Sequence, residues 1–166
     1  MKLSKIEIIE TLNLACAELG EVNKRDILLS YGVASTLYGF RKVTEDIDAY
    51  VPQALFDLIK EQSDEIVLLP PCGRHGETEQ VTWKGIDWFL NNRDTQPKVI
   101  IMYGYSVVTK TQLLYDRLDM GREKDARDLN SLRAEIRLLP QADRDRAYAM
   151  LQTYQGTATS IFTSKR

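Results

Sequence analysis

Two aspartates, Asp46 and Asp48, have the residue type and spacing that bind a divalent metal ion. The residues from Ile47 to Val51 alternate apolar and polar in the manner of a β-strand. Residues i and i+2 of a strand share a face, so the two carboxylates point the same way. Carboxylates this close repel each other unless a cation lies between them, and Mg²⁺ is often held by one or two carboxylates with substrate phosphates. The spacing predicts a Mg²⁺ site; the alternative is a solvated turn.

A third acid, Asp87, lies in a later strand-like run and extends this hypothesis. An acid on a neighbouring strand would share the metal and accept the proton of an attacking hydroxyl. Metals held in this way stabilise the attacking and leaving oxygens of a phosphoryl displacement. We therefore expect one mixed sheet on which the three carboxylates converge. The alternative for Asp87 is a strand-end acid paired with Lys84 or an arginine.

The segment before the acids has the composition of a phosphate-binding turn. Gly32 precedes a short helical stretch that ends at Gly39, and the basic residues Arg41 and Lys42 follow it. Backbone N–H groups at such a turn can approach an anion closely. The chemistry expected here is therefore phosphate binding beside a metal site.

The bulk composition limits the classes of protein that fit. The chain has 166 residues, 43% of them hydrophobic and 28% charged, which suits one soluble domain. It has no apolar run of membrane-spanning length and no signal-peptide pattern, which predicts a cytoplasmic protein without membrane contacts. The net charge of −2 argues against a broad nucleic-acid surface. Cys72 and His75 lie in a polar loop and are too few for a zinc site.

The order of elements predicts an α/β (α+β) fold, a mixed sheet flanked by helices with a C-terminal helical segment. A capping-box pattern at Ser4 and Glu7 opens a first helix that ends at Gly20. Strands and helices alternate up to residue 108, and helices alone follow. We expect a single domain over residues 1–154, with its sheet core in 1–108 and a helical cap in 109–154. Residues 155–166 are predicted to form a flexible tail.

The run from Gly32 to Asp48 resembles the active-site motif of the minimal nucleotidyltransferases of the DNA polymerase β-like superfamily. In that family a Gly-Gly or Gly-Ser turn and a short helix precede Asp-x-Asp on a strand, and a third acid follows on a later strand. Small members include toxins of abortive-infection toxin–antitoxin pairs. The matching positions here are Gly32, Ala34, Gly39, Arg41, Thr44, Asp46, Ile47 and Asp48.

A second stretch, from Leu113 to Leu129, resembles the late helical segment of the same family, where a basic residue is followed by Arg-x-Lys-Asp and a second Asp. The matching positions are Arg117, Arg122, Lys124, Asp125 and Asp128. The two stretches together extend the resemblance over residues 26–133. The combination is more specific than either stretch alone, because a charged helix face is usually only solvated.

The resemblance implies a nucleotidyltransferase-like fold and a Mg²⁺-dependent transfer of a nucleoside monophosphate from an NTP, such as ATP, to an acceptor hydroxyl. The acceptor would be a tRNA, a protein or a small molecule. The implied catalytic and metal-binding residues are Asp46, Asp48 and Asp87. The implied nucleotide-binding residues are Gly32, Ser35, Arg41, Thr44, Arg117 and Lys124.

Two departures from the family pattern leave an alternative open. Tyr31 replaces the first glycine of the paired turn, and Tyr38 replaces the histidine before Gly39. The alternative is a catalytically silent binding module that keeps the fold and acts through a protein partner. A metal phosphoesterase is a third hypothesis, but it would require histidine ligands, and His75 is the one histidine of the chain.

Overall fold

The structure, a computed structural model, describes residues 2–63, 65–71 and 76–163, with side chains described up to residue 153. Cys72 and His75, and the loop predicted around them, lie outside the described residues. The chain divides into two compact units, Met1–Thr109 and Lys110–Arg166. The single domain and the flexible tail stay predictions.

The first unit is built on a mixed, seven-stranded sheet. From edge to edge its strands are β5 (Ile66–Leu69), β6 (Thr78–Trp83), β7 (Ile86–Leu90), β4 (Asp48–Val51), β2 (Leu28–Leu29), β9 (Tyr105–Val108) and β8 (Val99–Met102). The pairs β4–β7 and β2–β9 are parallel, and the other pairs are antiparallel. With helices flanking it, this sheet confirms the α/β fold class. A separate two-stranded ladder joins β1 (Leu3–Ser4) to β3 (Val43–Thr44).

Helix α1 (Lys5–Leu19) begins and ends where the sequence predicts. The Ser4 hydroxyl accepts a hydrogen bond from the Glu7 N–H, and the Glu7 carboxylate accepts one from the Ser4 N–H at 2.7 Å. Gly20 ends the helix with φ of 91°, a left-handed value that glycine adopts without steric cost. Its buried side chains are Ile8, Leu12, Ala15 and Cys16, whereas Ile6 is 70% exposed.

Two tight hairpins explain why the apolar runs of the sequence fold into paired short strands. Lys84 and Gly85 join β6 to β7 with φ of 57° and 73°, and Tyr103 and Gly104 join β8 to β9 with φ of 54° and 87°. Two successive positive φ values are the signature of the type I′ turn, whose twist matches that of antiparallel strands. The Lys84–Gly85 turn therefore divides one apolar stretch of the sequence into β6 and β7.

One face of the sheet forms the core of the first unit. Side chains alternate across a sheet, and those on this face have no exposed surface: Leu29, Ala49, Val51, Val81, Ile86, Trp88, Tyr105 and Val107. Helix α1 packs here, since Cys16 lies 3.6 Å from the Tyr105 hydroxyl. Helix α3 (Gln53–Gln62) buries Phe56 and Ile59 and contacts β6 and β7. The opposite face carries Asp48 and Asp87 and is called the acidic face.

The second unit is helical, as the sequence predicts for the segment after residue 108. They are α4 (Lys110–Met120), α5 (Glu123–Leu129), a 3₁₀ turn (Asn130–Leu132), α6 (Arg133–Ile136) and α7 (Gln141–Thr163). The 3₁₀ turn follows α5 directly, and Leu132 leaves the helical conformation with ψ of 17°. In the described part of the chain, no helix combines the length and apolar character needed to span a membrane.

Candidate active site

Asp48 and Asp87 lie side by side on the acidic face. Both begin or nearly begin their strands, and the parallel pairing of β4 with β7 makes them register partners. The Asp87 N–H donates to the Ile47 carbonyl at 2.9 Å, which fixes this register. Neighbouring strands lie about 4.8 Å apart, so the two half-buried carboxylates share a small region of surface. The fold thus joins two acids that are far apart in the sequence.

Asp87 has a local hydrogen-bond partner that orients it. The Thr82 hydroxyl on β6 donates to Asp87 Oδ1 at 2.7 Å, across the antiparallel β6–β7 pair. Lys84, the alternative partner considered from the sequence, instead forms an ion pair with Glu18 at 2.7 Å. The second carboxylate oxygen of Asp87 receives no hydrogen bond from Lys84, so the salt-bridge alternative with that lysine is wrong.

Asp46 lies before β4 and is exposed. Its main-chain carbonyl accepts a hydrogen bond from the Thr44 hydroxyl at 3.2 Å, which ties the segment to β3. Within residues 2–63, 65–71 and 76–163, no three His, Cys, Asp or Glu side chains form a group that could hold a metal ion. The structure therefore brings together the pair Asp48 and Asp87, and metal binding by all three aspartates stays a prediction.

The predicted phosphate turn forms the start of α2 (Tyr31–Leu37) and packs against β3. A Cβ atom on Gly32 would lie 2.8 Å from Thr44 Oγ1 and 3.6 Å from Arg41 Nη1. The absence of a side chain at Gly32 therefore lets Thr44 and Arg41 approach the helix backbone. Ser35, also predicted to line this turn, is completely buried. Gly32, Arg41 and Thr44 are thus neighbours, and their contact with phosphate stays a prediction.

Tyr31, where the family has its first glycine, has a left-handed backbone with φ of 48°. This conformation costs a non-glycine residue about 1–2 kcal/mol. The Tyr31 ring lies 6.5 Å from the ring of Tyr50, which is on the acidic face two residues beyond Asp48. The position therefore has the backbone geometry that favours glycine, while its large side chain lies near Tyr50.

An aromatic pair that the sequence analysis missed follows the acids along the acidic face. Tyr50 and Phe89 are register partners, each two residues beyond its aspartate on β4 or β7. Their rings stack, with 5.3 Å between ring centres and an interplanar angle of 24°. The Arg93 guanidinium lies 6.0 Å from the centre of the Tyr50 ring. The i+2 spacing from each aspartate was the available signal, since it places acid and ring on one face.

A cavity of about 300 Å³ borders the aromatic pair within the first unit, since its lining residue Leu28 is the register partner of Tyr50. Its lining residues are Arg25, Asp26, Leu28, Pro52, Asn91, Gln96, Pro97, Val99 and Ser106. No sequence pattern indicates this cavity, because its polar lining residues come mainly from the segment before β2 and from the loop after β7. These segments are distant in sequence and become neighbours only when the sheet assembles.

In the second unit, Arg117 is buried in an ion-pair cluster. Its Nη1 lies 2.6 Å from Asp125 Oδ1 and its Nη2 lies 2.5 Å from Asp128 Oδ2. Arg122 adds a third contact to this cluster, from Nε to Asp125 Oδ2 at 2.8 Å. Burial would raise the pKa of the Asp125 carboxyl, but hydrogen bonds and positive charge from Arg122 and Arg117 hold that pKa below its ordinary value.

This cluster gives the late motif a structural explanation. The predicted phosphate-binding residue Arg117 is only 2% exposed, and it connects α4 to α5 through the two aspartates. Lys124, the other basic residue predicted to bind phosphate, is exposed on α5. A phosphate contact of either residue stays a prediction.

No protein-family model matches the chain, and the comparison with curated proteins gives no match. Among solved structures, it is similar to a candidate nucleotidyltransferase from H. pylori, with 12% identity, a TM-score of 0.43 and coverage of 93% of this chain and 97% of that one. It is also similar to JHP933 from Helicobacter pylori, with 12% identity, a TM-score of 0.39 and coverage of 96% and 98%. Likeness at this level carries no argument about function, which therefore rests on this chain's own residues.

Proposed function

We propose that this protein is a Mg²⁺-dependent nucleotidyltransferase that uses an NTP and an acceptor hydroxyl. The observation that carries the proposal is the parallel register that makes Asp48 and Asp87 neighbours. The acceptor oxygen attacks the α-phosphorus, the bond to the bridging oxygen breaks, and pyrophosphate leaves. The acceptor is a tRNA, a protein or a small molecule, and the proposed setting is the cytoplasm.

The donor set of the site fits Mg²⁺. Asp48 and Asp87 offer hard oxygen ligands, and one or two carboxylates with substrate phosphates are the usual set for this ion. When bound, Mg²⁺ would neutralise phosphate charge and orient the triphosphate. Asp48 and Asp87 are the proposed ligands, and Asp46, on the segment that leads into β4, is the proposed third ligand.

The proposed roles of the other residues follow from their contacts. Asp87 takes the proton of the acceptor hydroxyl, and the Thr82 hydroxyl at 2.7 Å holds its carboxylate in place. Arg41, beside Gly32 and Thr44, offsets phosphate charge at the turn. In this proposal Lys124 supplies a further positive charge, as the family pattern implies.

Tyr31 supports a second candidate function. Its bulky ring occupies a turn position whose left-handed backbone favours glycine. A side chain there would restrict the approach of a triphosphate to the turn. The second candidate is therefore a catalytically silent binding module, possessing the fold but acting through a protein partner.

Incubation with each α-³²P-labelled NTP, Mg²⁺ and a cell lysate tests the proposal, and the labelled product identifies the acceptor. The variant Asp48→Asn removes one charge at constant volume and should lower transfer at least about hundredfold. Its control is Asp57→Asn, an exposed acid on α3 bonded to Gln53, which should transfer like the wild type. Labelling of equal strength in Asp48→Asn and wild type would contradict the enzyme hypothesis, and NTP binding without transfer would favour the silent module.

A further inference from the structure

The acidic face has a linear order of three features along β4 and β7. On β7 the same face carries Asp87, then Phe89, and then Asn91 just after the strand. On β4 it carries Asp48, then Tyr50, as register partners of Asp87 and Phe89. Four residues of strand span roughly 13 Å, so the cavity at Asn91 lies about the length of a nucleoside from the acids.

The side chain of Asn91 has an unusual hydrogen-bond state. Its Nδ2 donates to Gln96 Oε1 at 3.0 Å, whereas its buried Oδ1 has no hydrogen-bond partner. A buried acceptor without a donor costs about 1–3 kcal/mol. Asn91 lines the cavity, and its Oδ1 has no exposed surface, so the side chain must rotate toward the cavity for a ligand N–H to reach Oδ1 and remove this cost.

The remaining lining favours a flat, partly apolar ligand with a polar edge. Leu28 and Pro52 provide apolar surface, and Leu28 is the register partner of Tyr50, so the cavity borders the Tyr50–Phe89 stack. The Ser106 hydroxyl is already donated to the Arg25 carbonyl at 2.6 Å, so it is not the donor that Oδ1 lacks. Asp26 adds a second acceptor to the lining.

We propose that this cavity binds the nucleobase of the NTP and that Asn91 Oδ1 selects a base with an exocyclic amino group. This inference rests on the proposed function, because the acid pair must hold the phosphates for the base to reach the cavity. An acceptor molecule must place its hydroxyl oxygen at the α-phosphorus, next to the acids, whereas the base of the same NTP is separated from the α-phosphate by the sugar. The cavity position and the missing donor both fit the base.

Calorimetric titration of wild-type protein in Mg²⁺ tests the selection with nucleotide pairs that differ by one amino group. The pairs are ATP with purine riboside triphosphate, GTP with ITP, and CTP with its 4-deamino analogue. In one of these pairs, the nucleotide with the amino group should bind about tenfold more tightly than its partner without it, in line with one buried hydrogen bond. Inorganic tripolyphosphate is titrated in parallel and reports on the phosphate site without a base.

Two variants separate the role of Asn91 Oδ1 from that of the Asn91–Gln96 bond. Asn91→Ala removes both, and should bring the discriminating pair to equal affinity. Gln96→Ala removes the same inter-residue hydrogen bond but keeps Oδ1, and should preserve the discrimination. The melting temperature of each variant confirms that it is folded.

The outcomes separate the two proposals. Tripolyphosphate binding with equal affinity for the members of every pair would overturn the nucleobase assignment and leave the proposed function intact. Discrimination that survives in Asn91→Ala would overturn the role of Oδ1. A protein that binds neither tripolyphosphate nor any NTP would overturn both the proposed function and the inference that depends on it.

Discussion

At the scale of single residues, Tyr31 departs most from what its local backbone favours. It has a φ of 48° at the start of α2, and its ring lies 6.5 Å from that of Tyr50. Strained residues of this kind concentrate at functional sites, where the surrounding structure holds them in place. The strain and the ring are separable properties, because one belongs to the backbone and the other to the side chain.

The comparison of Tyr31→Gly with Tyr31→Ala isolates the backbone term, since neither variant has a ring. Glycine adopts the left-handed conformation freely and alanine does not, so the glycine variant should be more stable by about 1 kcal/mol despite its more flexible unfolded chain. Urea unfolding measures both. A more stable alanine variant would mean that the residue at position 31 is not left-handed.

At the same scale, Gly32 makes a close contact that a methyl group would disturb. A Cβ there would meet Thr44 Oγ1 at 2.8 Å, and Thr44 is buried and β-branched, so it has little freedom to move. We expect Gly32→Ala to lower the free energy of unfolding by about 1–2 kcal/mol, even though alanine favours helices.

The matching double variant, Gly32→Ala with Thr44→Ala, provides the control. It removes the hydroxyl that the new methyl group would meet, so adding Gly32→Ala to Thr44→Ala should cost little or nothing. Chemical unfolding of the four proteins gives the coupling energy. Additive effects of the two substitutions would show that Gly32 and Thr44 do not interact as described.

At the scale of elements, the charge cluster of Arg117, Asp125 and Asp128 joins α4 to α5 without solvent exposure. Removing one partner leaves buried charge uncompensated, which usually costs 3–5 kcal/mol. The pairing explains how α5 packs against α4 despite its polar composition. The buried carboxylates of α5, Asp125 and Asp128, form ion pairs with Arg117 of α4.

Asp125→Asn should therefore lower stability by about 3 kcal/mol at pH 7. The folded pKa of Asp125 lies below its ordinary value, so its stabilising contribution is complete above about pH 4 and is lost as the pH falls through the folded pKa. The difference between wild type and variant should accordingly shrink in acid. Helical circular dichroism against urea, at a series of pH values, measures it.

The control for this pair is Asp119→Asn. Asp119 is partly exposed and lies 3.7 Å from Arg146, so its removal should cost less than about 1 kcal/mol. A loss at Asp119 as large as that at Asp125, or a difference that does not depend on pH, would contradict the buried-pair description.

The comparison of sequence and structure also belongs to this scale. Local signals predicted both ends of α1, because capping chemistry acts over a few residues. The alternation around Asp48 and Asp87 predicted strands, but neither the parallel register nor the stacking of Tyr50 on Phe89 is local, and both depend on which strands become neighbours. The burial of Arg117 escaped prediction because a charged helix segment is usually solvated.

At the scale of the whole molecule, the acid pair, the turn, the aromatic stack and the cavity all belong to the unit Met1–Thr109. The unit Lys110–Arg166 contains the ion-pair cluster and the exposed Lys124. Both tryptophans of the chain, Trp83 and Trp88, are in the first unit. Their fluorescence therefore reports on the unit that contains the candidate site.

We expect saturating Mg²⁺ and NTP to raise the melting temperature seen by tryptophan fluorescence. A ligand at a hundred times its Kd stabilises the folded state by about 2.7 kcal/mol. Asp48→Asn should lose most of this shift. A shift of equal size in wild type and Asp48→Asn would place the nucleotide away from the acid pair.

The parallel pairing of β4 with β7 has a consequence for how the molecule is made. The β6–β7 hairpin needs only a two-residue turn, and hairpins of this kind close within microseconds. The β4–β7 pair must wait until α3, β5 and β6 have been synthesised and the long intervening loop has closed, which is slow for non-local contacts. On a ribosome, Asp48 emerges well before its partner. We therefore expect newly made chains to form the β6–β7 hairpin before their two carboxylates meet, so that the acid pair is completed late in folding.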